Sequence, residues 1–343
     1  MTGRRQGAAE KDRSLAARAA WLSYIGGHTQ GEIAARLSVS PAKAHRLIAQ
    51  AHEQGLVKVF IEGAPDECLA LEGRLADAFG LESCIVAPTL GVGDEGAGPD
   101  GPEEFAAVGA AAARLLHGLL AASGEMLVGV GKGRSLAAMV DNLPAMRRPD
   151  LQFVSVSGSL TRTLAANPFD VVHKLVERTG GEGYFLPVPY IAASTQEKRL
   201  LLAQKSVQDL LRKARAAELY VIGIGSIADD AHVRQVGMVT EAEWTELRAQ
   251  AAVGDVMGSF VDADGRPVDA GVNRHSLGLG IDDLRDRRVI AVAGGGHKGE
   301  AVLAALRTGA ISDLVLGEQA AREIVARLDA GEATDDKPRR QAG

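Results

Sequence analysis

The chain has 343 residues, 46% of them hydrophobic and 24% charged, and a formal net charge of −6. That length holds a small module and one large core. No stretch approaches about 18 uninterrupted apolar residues, which argues against a membrane span, and the polar residues 1–13 lack the apolar core of a signal peptide. Two cysteines, Cys68 and Cys84, are too few for a disulfide framework and have no ligand neighbours at metal-binding spacing, so a cytoplasmic protein without metal or cofactor is expected.

In chain order, residues 1–13 read as a loose arm, and 14–24 as a helix anchored by Trp21 and Leu22. Residues 28–60 then carry a helix-turn-helix pattern. Thr29 caps a short helix running to Leu37, Ser38-Val39-Ser40 makes the turn, and Ser40 stands at an N-cap with Pro41 at the first helical position. Ala44, Leu47, Ile48 and Ala51 fall at i, i+3, i+4, i+7 and form a buried stripe. Gly55 ends this second helix, and 56–61 reads as a short strand. Residues 1–60 hold nine Lys or Arg against four Asp or Glu, a net of +5, which leaves −11 for the remainder. A basic end on an acidic body points to a polyanion partner at that end. The contact set expected on DNA is Thr29, Gln30, Ser40, Lys43, His45 and Arg46, with the start of the second helix in the major groove.

Residues 67–79 read as a linking amphipathic helix with Cys68 on its apolar stripe, and 83–87 as a buried strand. The Gly-, Asp- and Pro-rich run 88–102 reads as a mobile insertion. Beyond it, short β-branched strands at 126–130, 151–156, 184–189, 219–224, 288–293 and 313–316 alternate with amphipathic helices, which specifies a mostly parallel sheet covered on both faces. Gly258 to Gly265 resembles a further strand entering an Asp-Gly turn. The domains expected are 1–62, with its flexible arm, 63–330, and a disordered tail at 331–343.

Four glycine-containing loops end strands of this body, at 131–135, 157–159, 223–226 and 294–298. In open α/β sheets ligands bind at such places, where backbone amides and a helix N-terminus favour an anion. Taken singly, each glycine is explained by a tight turn. Together, with cations in two loops, they define a pocket for a sugar, sugar phosphate or polyol. Its expected residues are Gly131, Lys132, Gly133, Arg134, Ser135, Gly158, Ser159, Gly225, Asp255, Gly294, Gly295 and Lys298. A Walker loop is absent, Gly223–Ala228 is a weak dinucleotide pattern, and no catalytic triad is placed.

The chain resembles, over residues 16–328, the SorC family of sugar-responsive bacterial transcriptional regulators. The likeness rests on Thr29-Gln30, Ile33-Ala34, Leu37, Ser40, Arg46-Leu47-Ile48 and Gly55-Leu56-Val57 in front. In the body it rests on Gly129-Val130-Gly131-Lys132-Gly133-Arg134-Ser135, Asn167-Pro168, Leu186-Pro187-Val188-Pro189, Gly223-Ile224-Gly225, Gly254-Asp255, Asp262-Ala263-Asp264-Gly265 and Ala293-Gly294-Gly295. Lys43–Ile48, Leu160-Thr161-Arg162 and Ala166-Asn167-Pro168 are most similar to the branch that includes erythritol-catabolism regulators. The resemblance implies a winged helix-turn-helix joined to a large, mostly parallel α/β effector domain resembling sugar-phosphate isomerases, a homotetramer, and control by a carbohydrate or polyol. Two positions depart from the family pattern: Pro41 stands where many members have Arg, and Ser135 where Thr is common, beside an unusual Lys132.

The expected function is a DNA-binding repressor of a carbohydrate or polyol catabolic operon, with operator DNA and a small-molecule effector as partners and no catalytic residue. The competing reading is a sugar-phosphate isomerase with a DNA-binding appendage, which needs a general acid/base such as Asp255 or His297 near the glycine loops.

Overall fold

The computed structural model describes residues 2–90, 102–158, 171–229 and 231–331. The chain divides into two compact units, Met1–Phe60 and Ile61–Gly343.

The first unit is helical. Helix α1 (Thr2–Ala20) passes into a π-helical turn at Trp21–Ile25, followed by α2 (Gln30–Leu37) and α3 (Pro41–Glu53). Thr29 and Glu32 form a reciprocal capping box at α2, and the Ser40 side chain accepts from Lys43 N–H at the start of α3. Ser38 closes α2 with φ of +53°, a left-handed conformation that tightens the turn. Ala16, Ala19, Ile33, Ala34, Ala44, Leu47 and Ala51 build the core, with Ile48 packed at its edge.

Three expectations are corrected here. Residues 2–13 continue α1 rather than forming an arm, because Ala8, Ala9, Glu10, Lys11 and Arg13 are all good helix formers. Trp21 is not a core anchor: it is 68% exposed, since the π turn shifts the apolar stripe by a residue and leaves Leu22 to pack inward. Residues 56–61 form no strand, so the wing implied by the family resemblance is absent from the described residues. Leu56 N–H instead donates to Ala51 O at 2.9 Å at the end of α3, and Leu56 and Val57 pack on the helices.

The second unit begins with α4 (Asp66–Phe79) and β1 (Ser83–Ala87). It continues through α5 (Pro102–Ala122), β2 (Met126–Val130), α6 (Arg134–Asn142), β3 (Leu151–Ser155), α7 (Val172–Thr179) and β4 (Glu182–Tyr184). Next come α8 (Thr195–Ala203), α9 (Lys205–Arg215), β5 (Leu219–Ser226), α10 (His232–Gln235) and α11 (Glu241–Ala249). The hairpin β6 (Gly254–Val256) and β7 (Ser259–Val261) leads through α12 (Gly271–His275) to β8 (Arg288–Ala293), α13 (Gly299–Arg307), β9 (Asp313–Gly317) and α14 (Glu318–Asp329).

Seven strands form one parallel sheet in the order β1-β9-β8-β5-β2-β3-β4. From β2 the chain runs outward through β3 and β4; from β5 it runs the other way through β8 and β9. The direction of winding therefore reverses between β2 and β5, the topological switch point where ligands of such sheets lie. Buried Val, Ile, Leu and Ala from both faces make the core. Gly129 lets β2 approach β5 closely, since a Cβ there would overlap the Tyr220 ring.

The expected strand at 184–189 is reduced to Glu182–Tyr184. Pro187 and Pro189 have no N–H for a ladder, and the run from Phe185 leaves the sheet. Residues 91–101 of the expected insertion and 332–343 of the expected tail lie outside the described residues. Helix α5 is long and apolar enough by length and composition to cross a membrane; here it packs against α6, where Gly109 has no room for a Cβ beside Ala138. The amino-terminal edge of the sheet is closed by its own charges: fully buried Asp313 receives Arg288 Nη2 at 2.8 Å and Ser312 Oγ at 2.8 Å.

Candidate functional site

At the opposite edge, the carboxyl ends of β8, β5, β2 and β3 lie side by side. The expected glycine loops at 131–135, 157–159 and 294–298 begin after β2, β3 and β8, but 223–226, expected as a fourth loop, is the last stretch of β5 itself, because its backbone pairs with β6. A cleft of about 760 Å³, counting its open mouth, sits over the switch point. It is lined by Gly131, Lys132, Gly133, Arg134 and Ser135 after β2, by Gly223–Ser226 at the end of β5, by Asp255 and Met257, and by Ser157, Tyr190, His232, Met238 and Lys298.

The β2 loop is built for an anion. Gly131 N–H anchors the loop to Val221 O at 2.8 Å. Gly133 takes φ of +129°, a conformation that favours glycine, and stands as N-cap of α6 without any side-chain cap. The N-terminus of α6 thus faces the cleft with its partial positive charge. Lys132 Nζ donates to Gly158 O and lies 3.6 Å from the centre of the Tyr190 ring. Lys298 Nζ donates to Ile224 O at 3.0 Å. The Arg134 guanidinium lies 5.0 Å from the Phe105 ring. Three cations are therefore held at the rim by carbonyls and aromatic faces.

Their combined field is visible at His232. Burial first, and then Arg134, Lys132 and Lys298, push its imidazolium down to about 4, so the ring is neutral at physiological pH. Facing it, the hairpin of β6 and β7 pairs antiparallel with the end of β5 and sets Asp255 opposite Gly225. Asp255 is 5% exposed and accepts from Tyr190 Oη at 3.0 Å and Gly258 N–H at 2.7 Å. Burial pushes its carboxyl up to about 6, against the pull of Gly258 N–H, Tyr190 Oη and Lys132. Burial likewise lifts the Tyr190 phenol far above its ordinary value. Chemically, the cleft offers cations and a helix N-terminus on one side, and a carboxylate with polar neighbours on the other.

The two shifted groups act on stability with opposite signs. Asp255 keeps a proton in the fold that the unfolded chain has lost, so its contribution falls as pH rises from about 4 to about 6. His232 has lost a proton that the unfolded chain still holds, so its contribution rises as pH climbs from about 4 to about 6.5. In the parent these slopes oppose. Asp255→Asn is expected to make unfolding free energy rise more steeply than the parent's across that window, and His232→Gln to make it fall. Urea titrations at several pH values measure both; slopes identical to the parent's would contradict the assignment.

Of the twelve residues expected in the pocket, the structure gathers Gly131, Lys132, Gly133, Arg134, Ser135, Gly225, Asp255 and Lys298 around one cleft. Gly158 stands just behind it, offering its carbonyl to Lys132; a Cβ there would overlap Pro189 O. Ser159 lies outside the described residues, as do Leu160–Asn167 and Pro168 of the family motif. Gly294 and Gly295 do not line the cleft: their N–H groups donate to Ser135 Oγ (2.9 Å) and Glu104 Oε1 (3.2 Å). His297 is exposed and outside the lining. Tyr190, His232, Met238 and Met257 were not foreseen from sequence. Only Tyr190 carries a signal, as the residue that follows Leu186-Pro187-Val188-Pro189.

In the first unit, Gln30, His45 and Arg46 are exposed and Lys43 is half-buried, with exposed Ala42 and Ala49 on the same side of α3. Small neighbours let that face approach a surface closely. Thr29 and Ser40 are engaged as caps, Thr29 both donating to Glu32 Oε2 (3.0 Å) and accepting from Glu32 N–H (3.4 Å).

Comparison with known proteins places these features together. Residues 64–326 match the sugar-binding domain family Sugar-bind. The erythritol catabolism regulatory protein EryD of Brucella abortus (strain 2308) is 37% identical over 319 residues, 93% of this chain and 98% of that one. The transcriptional regulator LsrR of Klebsiella pneumoniae subsp. pneumoniae is 31% identical over 326 residues, covering 93% and 95%. The full-length sorbitol operon regulator SorC from Klebsiella pneumoniae shares the fold, with a TM-score of 0.66 at 24% identity, over 92% of this chain and 99% of that one.

Proposed function

The chain belongs to the SorC family of sugar-binding transcriptional regulators, and from that premise we propose that it represses a carbohydrate or polyol operon until a phosphorylated sugar or polyol fills the cleft of its second unit. It is a regulator rather than an enzyme, as its relatives are. The observation that carries the choice of a phosphorylated effector is the convergence of Lys132, Arg134 and Lys298 on His232 beside the uncapped N-terminus of α6. A phosphate matches three cations and a helix N-terminus with charge-assisted hydrogen bonds, which a neutral polyol does not form. Asp255, with Ser157 and Ser226, then receives the hydroxyl groups.

On the DNA side, α3 enters the major groove with Arg46 on a base edge, while Lys43, His45 and the exposed Gln30 meet the backbone. One module of this size binds weakly, so the working form is an oligomer, a tetramer by family analogy. Half-sites about 34 Å apart then match its symmetry. The effector acts because it prefers one arrangement of that oligomer over the other.

The test is a melting-temperature series on the full-length protein with sugars, polyols and their phosphates. A phosphorylated ligand at about 100 times its Kd adds about 2.7 kcal/mol of stability, whereas its unphosphorylated parent at equal concentration adds little. Stabilisation by the unphosphorylated compounds alone, or turnover of a sugar phosphate, would overturn this reading.

A further inference from the structure

Glu104 lies in the first turn of α5, which supplies none of the glycine loops at the carboxyl edge of the sheet. Its Oε1 accepts from Gly295 N–H at 3.2 Å, while the neighbouring Gly294 N–H donates to Ser135 Oγ at 2.9 Å. Two amides of the β8 loop are thus engaged from within the chain, while Lys298 of the same loop lines the cleft. The seat is shaped for this helix turn. A Cβ on Gly317 would overlap Glu104 Oε1, and one on Gly294 would lie 2.9 Å from the Phe105 ring. Glycines at the ends of the adjacent strands β8 and β9 thus make room for the successive residues Glu104 and Phe105. The Phe105 ring is also where Arg134 and Lys298 come to rest, at 5.0 and 5.9 Å. A fixed carboxylate therefore stands against the β8 loop, one residue along the chain from the ring shared by two of the three cations.

From this we infer that Glu104 is a specificity-determining residue: it fills the β8 loop with an internal anion, so that the cleft accepts an effector with one phosphate, held at the β2 loop, and rejects one with two. The inference rests on the cleft being a sugar-phosphate receptor. Discrimination of this kind needs a repulsive element as well as an attractive one. Glu104 supplies it, because a second phosphate at the β8 loop meets a like charge and amides that are already engaged.

Calorimetric titration of the full-length protein with ribulose 5-phosphate and ribulose 1,5-bisphosphate tests it, on the parent, Glu104→Gln and Glu104→Ala. The Glu104→Gln substitution keeps an acceptor for Gly295 N–H while removing the charge, so this variant preserves the seat. The parent is expected to favour the monophosphate by about tenfold or more, and both variants to cut that ratio by about fivefold, through tighter bisphosphate binding at little-changed monophosphate affinity. A general packing defect would weaken both ligands and leave the ratio alone. An unchanged ratio in both variants, with the monophosphate still bound, overturns the inference and spares the reading of the cleft. A parent that prefers the bisphosphate overturns it too. A parent that binds neither compound removes the reading of the cleft, and the inference with it.

Discussion

Protein carrying Lys132→Ala together with Arg134→Ala is expected to bind operator DNA as tightly as the parent and to lose its response to a phosphorylated sugar. Each side chain offers a charge-assisted hydrogen bond worth about 1.5–3 kcal/mol, so removing both weakens effector binding by about a hundredfold or more. Gly158, whose carbonyl receives Lys132, is buried behind the cleft, so a melting curve that matches the parent's is the control for the fold of the variant. Arg134 is the first residue of α6, and alanine there preserves helix propensity. Because Arg134 and Lys132 add to burial, the largest cause, in depressing His232, the variant carries a second signature: its His232 should titrate higher than the parent's, which is readable by NMR. Retained effector affinity with a shifted His232 would place the phosphate elsewhere.

The second large effect belongs to Arg46. It is exposed on α3, in the second turn after the Ser40 cap and three residues after Lys43, where a helix in the major groove presents its first side chains to base edges. Arg46→Ala is expected to lower operator affinity by about 1–3 kcal/mol, and to relax the preference at one base pair. Lys43→Ala should weaken all DNA more evenly and reduce the salt dependence, as loss of a phosphate contact does. Footprinting at fixed ionic strength distinguishes the two; unchanged affinity in Arg46→Ala would remove it from the readout.

How much of this was legible beforehand depended on whether the signal was local. The helix-turn-helix is written in short-range chemistry: Thr29 with Glu32, Ser40 before Pro41, and a 3.6-residue stripe each act within one turn of helix. The parallel sheet is likewise readable, because strands buried on both faces need unbroken runs of Val, Ile and Leu, and the chain must turn at glycine after each. The cations of the cleft were legible for the same reason, as they sit in those turns. What escaped depends on partners distant in sequence. The strand β6 has three residues, and its pairing with β5 on one side and β7 on the other is what makes it a strand. Tyr190 and His232 reach the cleft from irregular backbone and a four-residue helix, and no periodicity marks them. Gly294 and Gly295 looked available for a ligand because nothing in their own loop shows that Ser135 and Glu104 engage their amides. Trp21 misled for a related reason: a π turn changes the period on which the inward-facing assignment depends.

The central claim is that a basic reader of DNA is controlled through a cationic, glycine-walled receptor in the same chain. Fluorescence anisotropy of a labelled fragment of its own promoter tests this most directly, with purified protein at fixed salt, titrated with sugar phosphates and their unphosphorylated parents. The account predicts tight binding without ligand, release by a phosphorylated compound, and no release in the Lys132→Ala/Arg134→Ala protein. Indifference to the promoter at low ionic strength, with and without every carbohydrate added, would contradict it. So would equal release of parent and variant.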